Sequence, residues 1–351
     1  MAYGDGVQPI TLGPNQPLQF YRGGKEIAAF RGKAQIDEYR PEDWVASTTA
    51  RYGLEPDGLS RLPDGRYLRD VLQSDPQAWL GPEHVTHFGA EPALLVKLLH
   101  AGERLPVHLH PDRSFALRHL GSRHGKTEAW VVLGTAGSEP SVWLGWSRDV
   151  AANEVAGWVA SQDRASMLGT LNRLVVRPGD AVLVPAGMPH AIGEGVFCVE
   201  VQEPTDYSIM IEFDGFDLDP AGGELGLGRE VALSCLRHQA LSPAELGSLT
   251  RSKPHSWSGI EEVLPPTSRP YFRAQRVRGE HAVAMDQSFA VIVVVHGDGE
   301  LEGEDWRLVL HRGTTAVVPW AAGPSTVSGP VELLRCLPPL VADARQDDPA
   351  A

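Results

Sequence analysis

The sequence has few cysteines and a deficit of basic residues. Its three cysteines, Cys198, Cys235 and Cys336, are odd in number and far apart in the 351-residue chain. This spacing excludes a disulfide framework and is typical of a reducing compartment such as the cytoplasm. Lysine and arginine number 31 against 45 aspartates and glutamates, for a formal net charge of -14. Because nucleic-acid binding needs clustered basic residues, we expect no nucleic-acid partner, although a small anionic substrate is not excluded.

The chain also lacks the segments that direct a protein to a membrane or hold it there. The opening residues MAYGDGVQPI have neither the basic region nor the apolar region of a signal peptide. No apolar run approaches the roughly 20 residues that a membrane-spanning helix requires. We therefore expect a cytoplasmic protein with no membrane partner.

Short β-branched segments bounded by turn residues dominate the sequence instead. The 37 glycines and 28 prolines are spread along the chain, as turns between many strands require. Such spacing predicts a mainly β protein built as a sandwich or closed barrel, with a few short helices. A helical stretch is expected between about 153 and 171. The strands predicted up to residue 213 are 94–99, 129–133, 141–144, 173–176, 181–184, 196–202 and 207–213.

Two segments far apart in the chain share one pattern. Residues 177–185 and residues 311–319 both contain a glycine followed by an apolar strand, and the strand ends at a proline six positions after the glycine. An internal repeat of one β-unit explains this, and a chance match is the alternative. Beyond the proline the first copy continues to His190, whereas the second copy has Pro324 at the corresponding position.

Four potential metal ligands lie between residues 108 and 190. His108 and His110 are two residues apart in a predicted strand, so their side chains face the same way. Glu128 opens the next apolar strand, and His190 follows the turn after Pro185. Three imidazoles and one carboxylate suit zinc, iron, manganese or nickel, with positions left for water or substrate. The alternative is that these are unrelated histidines satisfied by local contacts.

The order and spacing of these residues resemble the two motifs of the cupin superfamily. This resemblance implies two jelly-roll β-barrels, with the metal in the first and none in the second. It predicts a metal-binding domain with an N-terminal extension over 1–240, a helix and linker over 241–268, and a metal-free domain over 269–351. One glycine of the first motif is a residue too close to its glutamate, and the last asparagine of the second is absent. The matching residues are Gly102, His108, His110, Glu128, Gly179, Pro185, Gly187 and His190.

A narrower resemblance is to the type I phosphomannose isomerases, which are zinc-dependent cupins. It is carried by residues 95–99, 107–112, 125–128 and 184–191, among which the V-H-P-D and G-K-T-E sequences are quite specific. The resemblance implies that the zinc ligands are His108, His110, Glu128 and His190. The family usually has glutamine at the first of these positions, but a histidine is equally able to bind the metal.

The same resemblance assigns pocket residues. Lys126 and Glu200 are the candidates for the catalytic base, and nothing in the sequence chooses between them. Lys97 and Asp206 are the candidate substrate-binding residues. Two departures from the family weaken the case for a phosphorylated substrate. Met210 stands where the family has an arginine that contacts the substrate and helps the chemistry, and Pro106 stands where it has a phosphate-binding serine.

These observations favour a metal-dependent aldose–ketose isomerase acting on a sugar or sugar phosphate, with zinc or another divalent metal. The leading hypothesis is conversion of mannose 6-phosphate to fructose 6-phosphate. Three alternatives stay open: an isomerase of a non-phosphorylated sugar, an oxygen-using enzyme with iron, and a sugar-binding protein that has lost catalysis.

Overall fold

The computed structural model describes residues 8–252 and 259–344. Its helices are short, which is what the frequent glycines and prolines predict. In chain order the strands are β1 Ile10–Thr11, β2 Glu42–Val45, β3 Leu95–His100, β4 His108–Leu109, β5 Glu128–Gly134, β6 Ser141–Trp146, β7 Leu171–Val175, β8 Ala181–Val184, β9 His190–Ile192, β10 Phe197–Gln202, β11 Ile209–Met210, β12 Thr250–Arg251, β13 Gly259–Glu262, β14 Arg273–Arg278, β15 Val283–Met285, β16 Ala290–Glu302, β17 Arg307–His311, β18 Thr315–Val318, β19 Ser325–Ser328 and β20 Val331–Leu337. The α-helices are α1 Lys25–Phe30, α2 Leu68–Ser74, α3 Pro76–Leu80, α4 Pro82–Phe88, α5 Arg113–Leu120, α6 Ala152–Ser161, α7 Arg164–Thr170, α8 Pro220–Gly223, α9 Arg229–Leu233, α10 Pro243–Ser248 and α11 Val341–Ala344.

Within the described ranges the strands form three sheets, all with antiparallel pairing. A six-stranded sheet has the order β12-β8-β5-β10-β3-β2, and a five-stranded sheet has the order β11-β4-β9-β6-β7. Both sheets are formed by residues between 42 and 251. The first half of the molecule denotes the chain up to residue 251, and the second half denotes the remainder. A nine-stranded sheet has the main order β1-β18-β16-β20-β14-β13. Outside this order, β17 and β19 pair with β16, and β15 pairs with β19.

The mainly β fold class is confirmed, but two closed barrels are not. None of the three sheets closes on itself among the described residues, and each ends in edge strands such as β2 and β13. In the first half the six- and five-stranded sheets face each other. This follows from the contacts of Glu128, on the six-stranded sheet, with His110 and His190, which the five-stranded sheet supplies. The result is a sandwich of two open sheets, a structure that short, evenly spaced strands predict as readily as a barrel.

Local deviations from the predicted elements have visible causes. The helical stretch 153–171 is two helices, α6 and α7, because Gln162 at their junction adopts a left-handed φ of 53°. The Asp163 carboxylate then accepts a hydrogen bond from Ser166 N and caps the second helix. The strand predicted over 207–213 is reduced to β11, since the backbone amides of Ile211 and Glu212 both bind the Val107 carbonyl.

The two halves share packing and a common local structure. The repeated segments fold alike, since Gly179 and Gly313 have φ values of 97° and 88° and each turn leads into a strand, β8 or β18. The first-half sheets and the nine-stranded sheet contribute to one continuous apolar core. β1, from the N-terminal region, pairs with β18. In the part of the chain that the structure describes, no helix is long and apolar enough to span a membrane.

Candidate metal centre and active site

Strand register puts a row of polar side chains on one face of the six-stranded sheet. Lys97 pairs with Glu200, which pairs with Trp130 on β5, and Glu128 pairs with Gln202 on β10. Directly paired residues and residues two positions away point to the same face. Glu128, Glu200 and Lys97 therefore share the face that is turned toward the five-stranded sheet. All three are buried.

The five-stranded sheet supplies the histidines. His108 on β4 pairs directly with His190 on β9, and His110 follows β4 at once. The ring centroids of these three residues lie 4.1 to 5.0 Å apart. One nitrogen from each ring can be chosen so that all three lie within 4.8 Å of one another. Three residues that are far apart in sequence are thus brought together, as the metal hypothesis requires.

Hydrogen bonds to the backbone orient all three imidazoles. The Nδ1 atoms of His108, His110 and His190 lie 2.9, 2.8 and 2.8 Å from the carbonyl oxygens of Pro106, Tyr207 and Met188. A carbonyl oxygen can only accept, so each Nδ1 must carry the proton. In the neutral form of each ring, Nε2 then keeps its lone pair, and this is how metal-binding histidines are held.

Glu128 lies between the histidines. Its Oε2 is 3.0 Å from His110 Nε2 and its Oε1 is 3.3 Å from His190 Nε2. Both Glu128 Oε2 and His190 Nε2 are buried without a partner in hydrogen-bond geometry. Buried polar atoms without partners are costly, and a shared cation would satisfy these two together. The donor set therefore fits a metal ion.

The electrostatics of these residues favour their metal-binding protonation states. Burial lowers the pKa of His108 well below its ordinary value, and the His190 and His110 rings lower it further. Burial and the Lys126 ammonium lower the pKa of His110 to about 3. Burial alone would raise the pKa of the Glu128 carboxyl, but Lys126 and His110 hold it well below its usual range. Neutral imidazoles and an ionised carboxylate are the forms that bind a cation.

A close approach of two backbone segments positions Lys126 and Glu128. Gly125 packs against the chain that follows His110, where an added Cβ would lie 2.6 Å from the Pro111 carbonyl oxygen. Lys126 N donates to that same oxygen at 2.9 Å. The segment between His110 and Glu128 contains α5 and leaves this approach intact. The two ligands therefore lie together although a helix separates them in sequence.

Glu203 anchors the same segment from behind. Its carboxylate accepts from Thr127 N at 2.8 Å and pairs with Arg113 at 2.7 Å. Thr127 O in turn accepts from Glu203 N. These bonds hold the backbone beside Glu128 and connect it to Arg113, the first residue of α5.

Lys126 itself lies against the ligands. Its Nζ is 3.1 Å from Glu128 Oε2 and 3.0 Å from His110 Nε2. The side chain is buried and lines a cavity that also includes His108, Glu128 and Glu200. An ammonium in this position can donate to a substrate oxygen bound next to the metal.

Lys97 is held at the centre of a buried ion cluster. Its Nζ lies 3.4 Å from Glu42 Oε2 and 3.2 Å from Glu200 Oε1. Burial alone would lower the pKa of this ammonium, but Glu42 and Glu200 together raise it above its ordinary value. Because β3 has a neighbouring strand on each side and the Lys97 side chain is buried, the Lys97 ammonium does not extend past a sheet edge into solvent. The lysine lines the cavity as a fixed positive charge.

Glu200 and Asp206 are carboxyl groups whose ionisation is disfavoured. Burial raises the pKa of Glu200, and the Glu128 charge raises it further. Although Lys97 is at ion-pair distance, Glu200 Oε1 has no partner in hydrogen-bond geometry. Burial also raises the pKa of Asp206, whose Oδ2 accepts from Tyr52 N at 3.1 Å. Both residues line the cavity.

The cavity encloses about 240 Å³ next to the candidate ligands. Sequence reasoning missed three of its lining residues, Glu42, Arg51 and Tyr52. Glu42 is on the edge strand β2, where it accepts hydrogen bonds of 2.6 Å from both Tyr21 Oη and Trp44 Nε1. Arg51 and Tyr52 lie in a loop, where no periodic pattern could have identified them.

Both departures from the phosphomannose isomerase pattern face the cavity. Pro106 and Met210 line it, and Met210 pairs directly with His108 across β11 and β4. Met210 is buried, and an added Cβ on Gly223 would lie 3.2 Å from its own Cβ. The position beside the candidate metal ligand is therefore apolar.

Comparisons with known proteins find relatives among the mannose-6-phosphate isomerases. The chain is 27% identical over 288 residues to the mannose-6-phosphate isomerase of Streptococcus mutans, an alignment that covers 79% of this chain and 84% of that protein. The predicted resemblance to this family is confirmed. Residues 271–338 match the family model described as the cupin domain of mannose-6-phosphate isomerase.

Solved structures share the fold of this chain. The crystal structure of the mannose 6-phosphate isomerase from Bacillus subtilis superimposes with a TM-score of 0.73 at 23% identity, covering 94% of this chain and 99% of that chain. A mannose 6-phosphate isomerase structure bound with zinc and yttrium gives a TM-score of 0.70 at 16% identity, covering 95% of this chain and 100% of that one. The similarity therefore extends through both halves of the molecule.

Proposed function

We propose that the protein is a metal-dependent aldose–ketose isomerase that interconverts mannose 6-phosphate and fructose 6-phosphate. The observation that carries the proposal is the convergence of three imidazoles and one carboxylate at the wall of a cavity that a lysine and a second carboxyl group also line. Isomerisation needs these parts, because a proton moves between C1 and C2 while negative charge develops on oxygen. The relatives named mannose-6-phosphate isomerase support the choice of substrate.

The metal ligands of this proposal are His108, His110, Glu128 and His190. Zinc is the first choice because histidine and carboxylate ligands suit it and because one protein of the same fold is bound with zinc. When bound, the metal acts as a Lewis acid that stabilises negative charge on the sugar oxygens. No second cluster of potential ligands is found in the described part of the second half.

We assign the proton transfer to Glu200. Its raised pKa brings it closer to neutral pH than an ordinary glutamate, and it lines the cavity next to the candidate ligands, where it can reach a substrate proton. Lys126 is the weaker candidate for the base, since its ammonium is already paired with Glu128. In this assignment Lys126 instead donates to the oxygen on which charge develops, and burial excludes water from that contact.

Lys97 and Asp206 are proposed to orient the sugar. Lys97 fixes the position of Glu200 through their 3.2 Å ion pair and presents a positive charge to the cavity. Asp206 lies in the cavity wall beside Tyr52 and can accept a hydrogen bond from a sugar hydroxyl. Breaking the buried pair of Lys97 would also leave uncompensated charge, at a cost of about 3–5 kcal/mol in folding free energy.

A non-phosphorylated sugar is the second candidate substrate. The apolar surface that Pro106 and Met210 give the cavity favours it, since a phosphate gains nothing from either residue. The same site would then perform the same isomerisation on the free hexose.

The finer organisation of the molecule is also a proposal. We assign the metal-binding unit to residues 1–240, a helix and linker to 241–268 and a metal-free unit to 269–351, and we regard the open sheets as two jelly-roll cupin units. Residues 1–7, 253–258 and 345–351 lie outside the described residues. The three unpaired cysteines support a cytoplasmic location.

Zinc-loaded protein is expected to convert mannose 6-phosphate to fructose 6-phosphate. Proton NMR in heavy water measures both the new ketose and the loss of the C2 proton signal of the aldose. A chelator should abolish the conversion and added zinc should restore it, because the charge on the sugar oxygens is otherwise unbalanced. Free mannose, run in parallel, separates the two candidate substrates.

The reaction mixtures also separate the other classes of function. Failure to convert any hexose or hexose phosphate with one zinc per chain would contradict the proposal. Oxygen uptake by the iron-loaded protein would instead indicate an oxygen-using enzyme. Tight sugar binding with no exchange of the C2 proton would indicate a sugar-binding protein.

A further inference from the structure

We propose that Arg51 binds the phosphate of the substrate. The inference rests on the proposed function and deepens it by naming the residue that selects a phosphorylated sugar. It follows from the charges that line the cavity and from their partners.

Three described residues with a basic side chain other than histidine line the cavity: Lys97, Lys126 and Arg51. The two lysines are buried, and both are already paired, Lys97 with Glu42 and Glu200 and Lys126 with Glu128. A phosphate near either lysine would also meet those carboxylates. The lysines are therefore poor phosphate sites, although they suit the uncharged end of a sugar.

Arg51 differs in its partners. Its ion pair is with Asp57, at 3.2 Å, and the Asp57 side chain is 45% exposed. Surface pairs of this kind contribute little stability, so an incoming phosphate can replace Asp57 at small cost. Arg51 Nε is buried and has no hydrogen-bond partner among the described residues. A guanidinium with an unused donor can grip two phosphate oxygens at once.

The backbone holds Arg51 at the cavity wall. Arg51 N donates to Asp57 O at 2.8 Å, which closes the loop on itself. The next residue, Tyr52, donates its N–H to Asp206 at 3.1 Å, and its ring packs edge-on against Tyr207 at 5.3 Å. The loop is thus fixed to the segment that follows β10, and Arg51 approaches the cavity from a part of the chain distant from Met210.

The test compares Arg51→Gln with the unaltered zinc-loaded enzyme on mannose 6-phosphate. KM for mannose 6-phosphate and the inhibition constant for inorganic phosphate are both expected to rise by about ten- to a hundredfold, with kcat less affected. Arg51→Lys should recover part of the loss, because it keeps the charge but not the planar fork. The matched control is Arg69→Gln, since Arg69 pairs with Glu55 and lines a neighbouring cavity instead.

The outcomes separate this inference from the proposed function. If the unaltered enzyme converts mannose 6-phosphate and Arg51→Gln leaves KM and phosphate inhibition unchanged, the assignment of Arg51 is overturned and the function stands. If the unaltered enzyme converts free mannose but not mannose 6-phosphate, or converts no hexose at all, the proposed phosphosugar function fails and this inference fails with it. An equal rise in KM for Arg69→Gln would also overturn the assignment.

Discussion

Replacing Glu128 with glutamine is expected to remove the metal and to lower isomerase activity by roughly a thousandfold, since a metal contributes several kcal/mol to transition-state charge stabilisation. Glutamine keeps the shape of the side chain but loses the charge that faces His110 and His190. A neutral amide is a much weaker ligand than a carboxylate. The measurement is zinc content per chain after dialysis, together with kcat on mannose 6-phosphate.

Asp43→Asn provides the control for this experiment. Asp43 is a buried carboxylate on the opposite face of the same sheet, where it pairs with Arg31 at 2.5 Å. Its loss should lower the thermal midpoint of unfolding and leave zinc content at one per chain. Full zinc occupancy in Glu128→Gln would contradict the assignment of Glu128 as a ligand.

Glu200→Gln is expected to lower kcat by about 10²–10⁴-fold while zinc stays bound, which is the usual contribution of a general base. The base must be deprotonated to act, so kcat/KM should rise with pH through the pKa of Glu200. Because burial and Glu128 raise that pKa, the acid limb should lie above the range of an ordinary carboxyl group. A cation bound at Glu128 would offset the rise in pKa that the Glu128 charge causes, but not the rise that burial causes. The variant should lose this limb.

A pH series on both proteins distinguishes the two candidate bases. If Glu200→Gln kept the acid limb and lost less than tenfold in kcat, Glu200 would be excluded and the proton transfer would pass to Lys126. Zinc content serves as the control for folding, since Glu200 is not among the candidate ligands.

The candidate metal residues could be identified from sequence because strand geometry fixes them. His108 and His110 are an i, i+2 pair, and Glu128 and His190 each begin a strand, so a few backbone rules place all four on facing sheets. Lys126 and Glu200 were predicted from the resemblance to the phosphomannose isomerases. The pairing of Lys97 with Glu42 could not be predicted, because it depends on which strand lies at the sheet edge.

The parts that sequence reasoning missed depend on loops and on sheet closure. Arg51 is in a loop whose position is set by the hydrogen bond from Tyr52 N to Asp206, 154 positions further along the chain. Whether evenly spaced strands form open or closed sheets depends on pairing between edge strands. The alternation of polar and apolar residues along a strand does not predict that pairing. The nine-stranded sheet likewise includes β1, a strand too short and too distant in sequence to be assigned to it beforehand.

An anomalous difference map of zinc-loaded crystals, recorded at the zinc absorption edge, tests the central claim most directly. The account predicts one strong peak per chain, in contact with the Nε2 atoms of His108, His110 and His190 and with the Glu128 carboxylate. A fully zinc-loaded protein whose peak lies elsewhere, or a map with no peak among these four side chains, would contradict it.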